Sequence, residues 1–168
     1  MIKIVFTGPE CTGKTTLSSE IAQKFNAPYV REYAREHLSK IGGNYNYHDL
    51  VKIAKGQLKI EKEYAKKAKN LLICDTNLQV IKIWSQIKYT KCDAFILNNQ
   101  DTSAYYMLCY PDFPWVHDSL RESRNDRIKL FQHYYNDLIK QNCKFTIVHG
   151  SHKKRMSFLD SKIKKMML

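Results

Sequence analysis

Gly8-Pro9-Glu10-Cys11-Thr12-Gly13-Lys14-Thr15 satisfies the pattern G-x-x-x-x-G-K-[ST] at every fixed position. The flanking chain supplies the context that this pattern needs. Ile2, Ile4, Val5 and Phe6 predict a short buried strand before it, and the residues from Lys14 to Phe25 predict a helix after it. The loop therefore wraps onto a helix N-terminus, where backbone N–H groups and the helix dipole favour an anion. Gly8 and Gly13 let backbone approach phosphate closely. Lys14 brings a cation to the β- and γ-phosphates of a nucleotide, and the Thr15 hydroxyl is placed to ligate magnesium. Gly8, Pro9, Glu10, Cys11, Thr12, Gly13, Lys14, Thr15 and Thr16 are thus the candidate nucleotide-binding residues, with ATP and Mg²⁺ as the expected cofactors.

At 168 residues one domain, 1–168, is expected, long enough to bury a real core. Lys and Arg number 28 against 16 Asp and Glu, a formal charge of +12. Such a surface favours acidic partners such as nucleotides, nucleic acid or an anionic membrane. A small phosphate-binding enzyme carries this charge without touching nucleic acid, so the charge alone does not choose among them. The five cysteines contain no C-x-x-C pair, which removes the zinc and thioredoxin-type signals. Cys74 and Cys109 lie in apolar runs and are expected to be buried, reduced thiols. The chain opens directly into a strand, so no signal peptide is expected. No apolar run approaches membrane-spanning length. The expectation is a cytoplasmic protein.

Apolar runs alternate with helical patterns, which argues for βαβ units around a parallel sheet of about five strands. The predicted strands are Ile2–Thr7, Pro28–Val30, Leu71–Cys74, Ala104–Cys109 and Lys144–His149. The predicted helices are Lys14–Phe25, Arg31–Ser39, His48–Lys69, Leu78–Gln86, Asp126–Gln141 and Lys154–Met167. Asn77 is a plausible N-cap for the fourth of these. Right-handed crossovers would cover the sheet on both faces, giving a three-layer α/β fold. The stretch from Tyr110 to Asn125 reads as irregular. A loop that long in a compact domain is usually a lid or binding loop, and the lid is placed at about 110–127.

Three further stations carry chemistry. Asp75 ends the apolar run Leu71-Leu72-Ile73-Cys74, where a parallel sheet gathers its ligands. A carboxylate there can hold magnesium or its water shell, the Walker-B role. Val30-Arg31-Glu32-Tyr33-Ala34-Arg35-Glu36 follows a short strand. Glu32 and Glu36 are one helical turn apart, as are Arg31 and Arg35, so the stretch reads either as a salt-bridged, solvated helix face or as acceptor machinery. In the second reading Glu32 accepts a proton from a substrate hydroxyl, and Tyr33 and Arg35 support it or bind substrate. Finally, Arg121, Arg124 and Arg127 recur every three residues after Pro114-Trp115. Arginines closing over a transferring phosphoryl group stabilise its charge, and Trp115 could stack on an aromatic base. A basic surface face is the alternative.

Other signals are discarded. Asn98-Asn99-Gln100-Asp101 lacks the lysine of the guanine-reading N-K-x-D, and His149-Gly150-Ser151-His152 misplaces the glycine of the nucleotidyltransferase H-x-G-H. The basic tail from Lys153 carries Met156, Leu159 and Ile163 at helical spacing. It is read as a core-facing terminal helix with a solvated lysine face rather than as a membrane-surface helix.

Taken in order, these pieces resemble the NadR-type nicotinamide riboside kinases. The matching stretches are Thr7-Gly8-Pro9-Glu10 through Thr15, Glu32-Tyr33-Ala34-Arg35-Glu36, Ile53-Ala54 with Gly56-Gln57, and Cys74-Asp75-Thr76 with Ile81-Lys82-Ile83-Trp84. Pro114-Trp115 through Asp118, Leu120-Arg121-Glu122 and Arg127 complete the set. The resemblance runs from Met1 to about Phe131. It implies an NMP-kinase-like fold with a lid, and ATP- and magnesium-dependent phosphorylation of the 5′-hydroxyl of nicotinamide riboside to nicotinamide mononucleotide. It implies Lys14 and Thr15 as phosphate and magnesium contacts, Asp75 as the Walker-B acid, and Arg121 and Arg127 as lid arginines.

Three departures stand out. Full-length members of that group carry an adenylyltransferase domain before the kinase, and this chain starts at the kinase strand, so the second step to NAD is not expected. Asn77 stands where an acidic residue is common, and Arg31 where an aromatic residue or proline is common. Arg124 lies outside the shared pattern. The expectation is a kinase acting on a small nucleoside with ATP, with neither nucleic acid nor membrane as partner. The alternatives are a kinase for another nucleoside or nucleotide, and a nucleotide-gated binding protein for nucleic acid or anionic lipid.

Overall fold

In the computed structural model, which describes residues 1–117 and 125–168, the first strand is the centre of the molecule. β1 (Ile2–Thr7) pairs in parallel with β3 (Leu71–Asp75) on one side and β4 (Tyr105–Cys109) on the other. β2 (Tyr29–Val30) adds to β3 and β5 (Lys144–Val148) adds to β4, both parallel, giving the order β2-β3-β1-β4-β5. From β1 the chain crosses to β2 on one side, and from the neighbouring β3 it crosses to β4 on the other. The carboxyl ends of β1 and β3 therefore flank a topological switch point, where open α/β sheets form a crevice.

Residues alternate faces along a strand, and here both faces are covered. Ile4, Phe6, Ile73 and Met107 pack under α1 (Lys14–Lys24) and α7 (His152–Met167) with Leu17, Ile21, Leu159 and Ile163. Val5, Leu72, Cys74 and Leu108 pack against Phe131, Tyr134 and Leu138 of α6 (Arg127–Lys140) on the other face. α2 (Tyr33–Lys40), α3 (Tyr47–Ala65), α4 (Leu78–Tyr89) and a short α5 (Ala94–Asn98) form a third apolar cluster through Leu38, Leu50, Ile53, Leu78 and Ile96. The architecture is the expected three-layer α/β fold. All five cysteines are unpaired, with Cys74 and Cys109 buried. Leu159 and Ile163 make the terminal helix core-facing. No helix among the described residues is long and apolar enough to cross a membrane.

The boundaries depart from the sequence reading where a local interaction overrides the pattern. α2 begins at Tyr33 rather than Arg31, because Glu32 is extended (φ −64, ψ 110). The proposed sharing of one helical face by Glu32 and Glu36, and by Arg31 and Arg35, is corrected accordingly. α3 stops at Ala65 instead of Lys69; past it the chain tightens, the Lys67 N–H donating to the Tyr64 carbonyl at 3.0 Å and the Ala68 N–H to the carbonyls of Tyr64 and Ala65. α4 runs on to Tyr89, and Thr90 closes it in the left-handed conformation (φ 56). α5 was not foreseen. Five residues are too few to show a helical repeat, and this turn exists because Asp93 caps Phe95 N–H at 2.8 Å. Gln100 Nε2 then donates to Ile96 O at 2.7 Å.

The expected N-cap at Asn77 forms. Its Oδ1 accepts the Gln79 N–H at 3.0 Å, and its Nδ2 donates to the Tyr106 hydroxyl at 2.9 Å. Asn77→Ala removes both bonds from a buried position, so it should cost about 2 kcal/mol and lower the melting temperature by about 4–8 °C. Thermal unfolding of the free protein checks this.

Candidate active site

The phosphate cradle is made by geometry that only glycine tolerates. Gly8 has φ +123, and a Cβ there would lie 2.7 Å from the Cys109 carbonyl oxygen. Gly13 has φ +80 and stands at the N-cap of α1 with no side-chain cap. The first turn of α1 thus has no capping side chain on its N–H groups, which is what an anion site at a helix start requires. The Thr12 hydroxyl donates to the Pro9 carbonyl at 2.8 Å, fixing the loop from inside. Lys14 Nζ donates to the same carbonyl at 2.6 Å, holding the ammonium over the loop.

Asp75 closes one side of this cradle. It is 2% exposed, and among the described residues its Oδ1 has no hydrogen-bond partner. The Tyr29 hydroxyl reaches its Oδ2 at 3.5 Å. Burial pushes the Asp75 carboxyl above the ordinary carboxylate range, against the Thr15 hydroxyl, the Lys14 charge and the Tyr29 hydroxyl, which favour the ionised form. The Tyr29 phenol is itself raised to about 12 by burial and by the Asp75 charge. A buried carboxylate oxygen without a donor, beside a threonine hydroxyl, is a donor set suited to a hard divalent ion.

The segment after β4 folds onto the loop. Trp115 Nε1 donates to Glu10 Oε1 at 3.0 Å, and the Val116 N–H meets Cys11 Sγ at 3.4 Å. Arg127, the first residue of α6, donates to the carbonyls of Phe113 at 2.8 Å and Cys11 at 3.4 Å. The structure therefore brings Arg127 and Trp115 to the rim of the cradle. Trp115 is bonded to a loop carboxylate there, a role its sequence reading as a base-stacking residue did not include. Arg121 and Arg124 lie outside the described residues.

Arg155 was missed entirely. It is 0% exposed. Its guanidinium donates to the carbonyls of Thr12 at 2.7 Å, Tyr110 at 2.9 Å and Gly150 at 2.9 Å, and pairs with the Asp112 carboxylate. It also stacks on the Phe113 ring at 4.3 Å, and that ring lies 3.0 Å from where a Cβ on Gly13 would be. One side chain thus ties the nucleotide loop to the loops after β4 and β5. A signal was present: Arg155, Leu159 and Ile163 are spaced by four, so the arginine falls on the buried stripe of α7.

From the cradle a cleft of about 300 Å³ runs between α2, α4 and α6. Lys14, Thr15, Glu32 and Arg35 line its polar end, and Leu38, Trp84, Ile87 and Tyr134 its apolar end. Trp84 is locked in place. Its Nε1 donates to the Tyr45 hydroxyl at 2.9 Å, and the two rings meet edge-on with centroids 4.7 Å apart. An adjoining polar cavity of about 480 Å³ is lined by Tyr29, Arg31, Glu32, Arg35 and Asp75 beside Thr15. Glu32 and Arg35, drawn from the sequence, thus stand where both cavities meet the loop. Tyr33 instead packs beneath, in the α2–α3–α4 cluster.

A family model described as an AAA domain matches residues 3–155. The chain belongs to that family. It is 29% identical over 147 residues to the trifunctional NAD biosynthesis/regulator protein NadR of Salmonella typhimurium, covering 83% of this chain and 36% of the relative. The chain thus spans little more than a third of the length of the curated relatives it matches. Among solved structures, NadR protein in complex with NR superposes with a TM-score of 0.73 at 17% identity, over 90% of this chain and 44% of the other. NadR with NAD and AMP-PNP also scores 0.73, at 16% identity over 98% and 49%. Deoxyadenosine kinase from M. mycoides scores 0.65 at 18% identity, over 98% of this chain and all of the other. The resemblance to NadR-type kinases read from the motifs holds, and the fold is that of P-loop nucleoside and nucleotide kinases.

Two substitutions probe the cradle. Arg155→Met removes the charge paired with Asp112 and the donor to three carbonyls, so it should cost about 3 kcal/mol and weaken ATP binding, read by melting and calorimetry. Asp75→Asn tests the buried carboxylate. Because the folded pKa of Asp75 is raised, the folded protein holds a proton to higher pH than the unfolded chain does. The free protein therefore loses stability as pH rises from the ordinary carboxylate range through the raised value. Asp75→Asn should remove that slope and stabilise the free protein at pH 7 by on the order of 1 kcal/mol. MgCl₂ with ATP should then raise the melting temperature of the parent protein much more than that of the variant.

Proposed function

We propose that this chain is a kinase that transfers the γ-phosphoryl group of ATP to the 5′-hydroxyl of nicotinamide riboside, with residues 1–168 acting as one kinase domain. The observation that carries the reading is the continuity of the cleft. The phosphate cradle, the Glu32 carboxylate and an apolar wall that includes Trp84 all line this one cavity. Support comes from the NadR relatives, one solved with NR and another with NAD and AMP-PNP.

In this reading the amides of the loop and Lys14 hold the β- and γ-phosphates. Phosphoryl transfer asks for positioning and charge stabilisation more than covalent chemistry. Thr15 and Asp75 would hold Mg²⁺, which when bound neutralises charge on the phosphate oxygens. Glu32 orients the acceptor hydroxyl and accepts its proton, while Arg35 braces the acceptor end. The edge of Trp84 is tethered by Tyr45, so its ring is a rigid wall for a flat aromatic base. Arg127 closes the rim, with Arg121 assigned the same role by its place in the motif. Trp115, bonded to Glu10, holds the lid segment against the loop and shields the reacting groups from water.

A kinase for another nucleoside is the second reading. It is favoured by the end-to-end match to deoxyadenosine kinase and by an apolar wall that does not select among flat bases. Release of ADP, measured over nicotinamide riboside and the common ribo- and deoxynucleosides, separates the two. Turnover with nicotinamide riboside is expected to dominate. Turnover confined to a different nucleoside would replace the acceptor. Lys14→Ala and Glu32→Gln should each lower kcat by about 100-fold or more without unfolding the protein.

A further inference from the structure

Glu32 sits at the N-cap of α2. Short side chains at that position (Ser, Thr, Asp, Asn) accept from the N–H of the second or third helical residue, and glutamate is not among the preferred caps. Glu32 makes no such bond, so its carboxylate is not consumed as a cap. The helix start is satisfied from elsewhere. The N–H of Tyr33, the first residue of α2, donates to Gln57 Oε1 at 2.9 Å.

Gln57 lies on α3 and is 1% exposed. A glutamine amide has two faces, and its neighbour decides which way it points. Gln57 Nε2 donates to Glu61 Oε1 at 3.0 Å, and only a donor can face a carboxylate. The oxygen is therefore turned to Tyr33. Glu61, itself buried, pairs with Lys3, and Lys3 also reaches Asp101 Oδ2 at 2.9 Å. The relay runs from the central strand through α3 to the peptide that follows Glu32. Gly56 adds a steric element, since a Cβ there would lie 2.0 Å from the Tyr33 ring. Tyr33 is thus seated by a glycine and bonded through its N–H by the next residue along α3.

We infer that Gln57 is a positioning residue for Glu32: from α3 it anchors the peptide N–H that follows Glu32 and thereby aims the Glu32 carboxylate into the cleft. The inference rests on the reading of Glu32 as the group that handles the acceptor proton. A misplacement of about 1 Å at such a group costs up to about 100-fold in rate.

The test is a double-mutant cycle followed by ADP release with nicotinamide riboside, or with whichever nucleoside turns over. Gln57→Leu should lower kcat about tenfold or more while the KM for ATP stays within about twofold. In a Glu32→Gln background the same substitution should change the residual rate by less than about threefold. The exchanged pair Gln57→Glu with Glu61→Gln keeps the charge, the acceptor for Tyr33 and a donor between the two. It should restore the parent rate to within about threefold. Should Gln57→Leu not fold, Gly56→Ala pushes on the Tyr33 ring without altering the glutamine and is read in the same cycle. Equal losses in both backgrounds, or a loss that appears mainly in the KM for ATP, would overturn the inference and leave Glu32 as the base. Full activity in Glu32→Gln alone would overturn both, and would be recognised before Gln57 is altered.

Discussion

The uncapped N–H groups at the start of α1 set the terms for the rest of the molecule. A helix start without a capping side chain is poorly satisfied until an anion arrives. The chain maintains it by confining the loop on every side. Gly8 is pressed against the carbonyl of Cys109 and Gly13 against the Phe113 ring, so neither end of the loop can relax into a side-chain cap. Arg155 holds the Thr12 carbonyl from behind. The rigidity is supplied by strands and helices far apart in the chain, from β1 to α7. An anion site built this way needs little reorganisation when it is filled.

Two buried carboxylates show opposite solutions to burial. Glu61 is paired with Lys3 and bonded to Gln57. The ammonium of Lys3 works against burial too, yet Glu61 and Asp101 raise its pKa above the ordinary lysine value. That network stabilises an arrangement. Asp75 is left with one oxygen unpartnered among the described residues, a cost in the free protein. Such a cost is retained where a ligand repays it. The proposed magnesium role of Asp75 would account for a burial that the free protein does not compensate.

The phosphate end was legible in the sequence because main-chain amides do the binding. The motif only has to spell glycines, a lysine and a threonine at fixed spacing, and the strands followed from apolar runs that both faces bury. Asp75 was legible for the same reason, as the polar residue that ends such a run. The acceptor end was harder. Leu38, Trp84 and Tyr134 come from three helices, and each would pack equally well in an ordinary core. Arg155 was hidden among the lysines of its segment, and its place on the stripe of Leu159 and Ile163 shows only once that stripe is read as buried. Glu32 stands out in the sequence by its place after β2, but the helix pattern there starts two residues early, since Glu32 is extended and the N–H that follows it is held by Gln57, 24 residues from Tyr33.

The account depends on a nucleotide being held by the loop from Gly8 to Thr15 with a divalent ion beside Thr15 and Asp75. Titration calorimetry with ATP, with and without MgCl₂, measures that directly on the intact chain. The expected result is saturable heat, with tighter binding when magnesium is present, together with a raised melting temperature. No heat and no thermal protection at saturating ATP and MgCl₂ would contradict it.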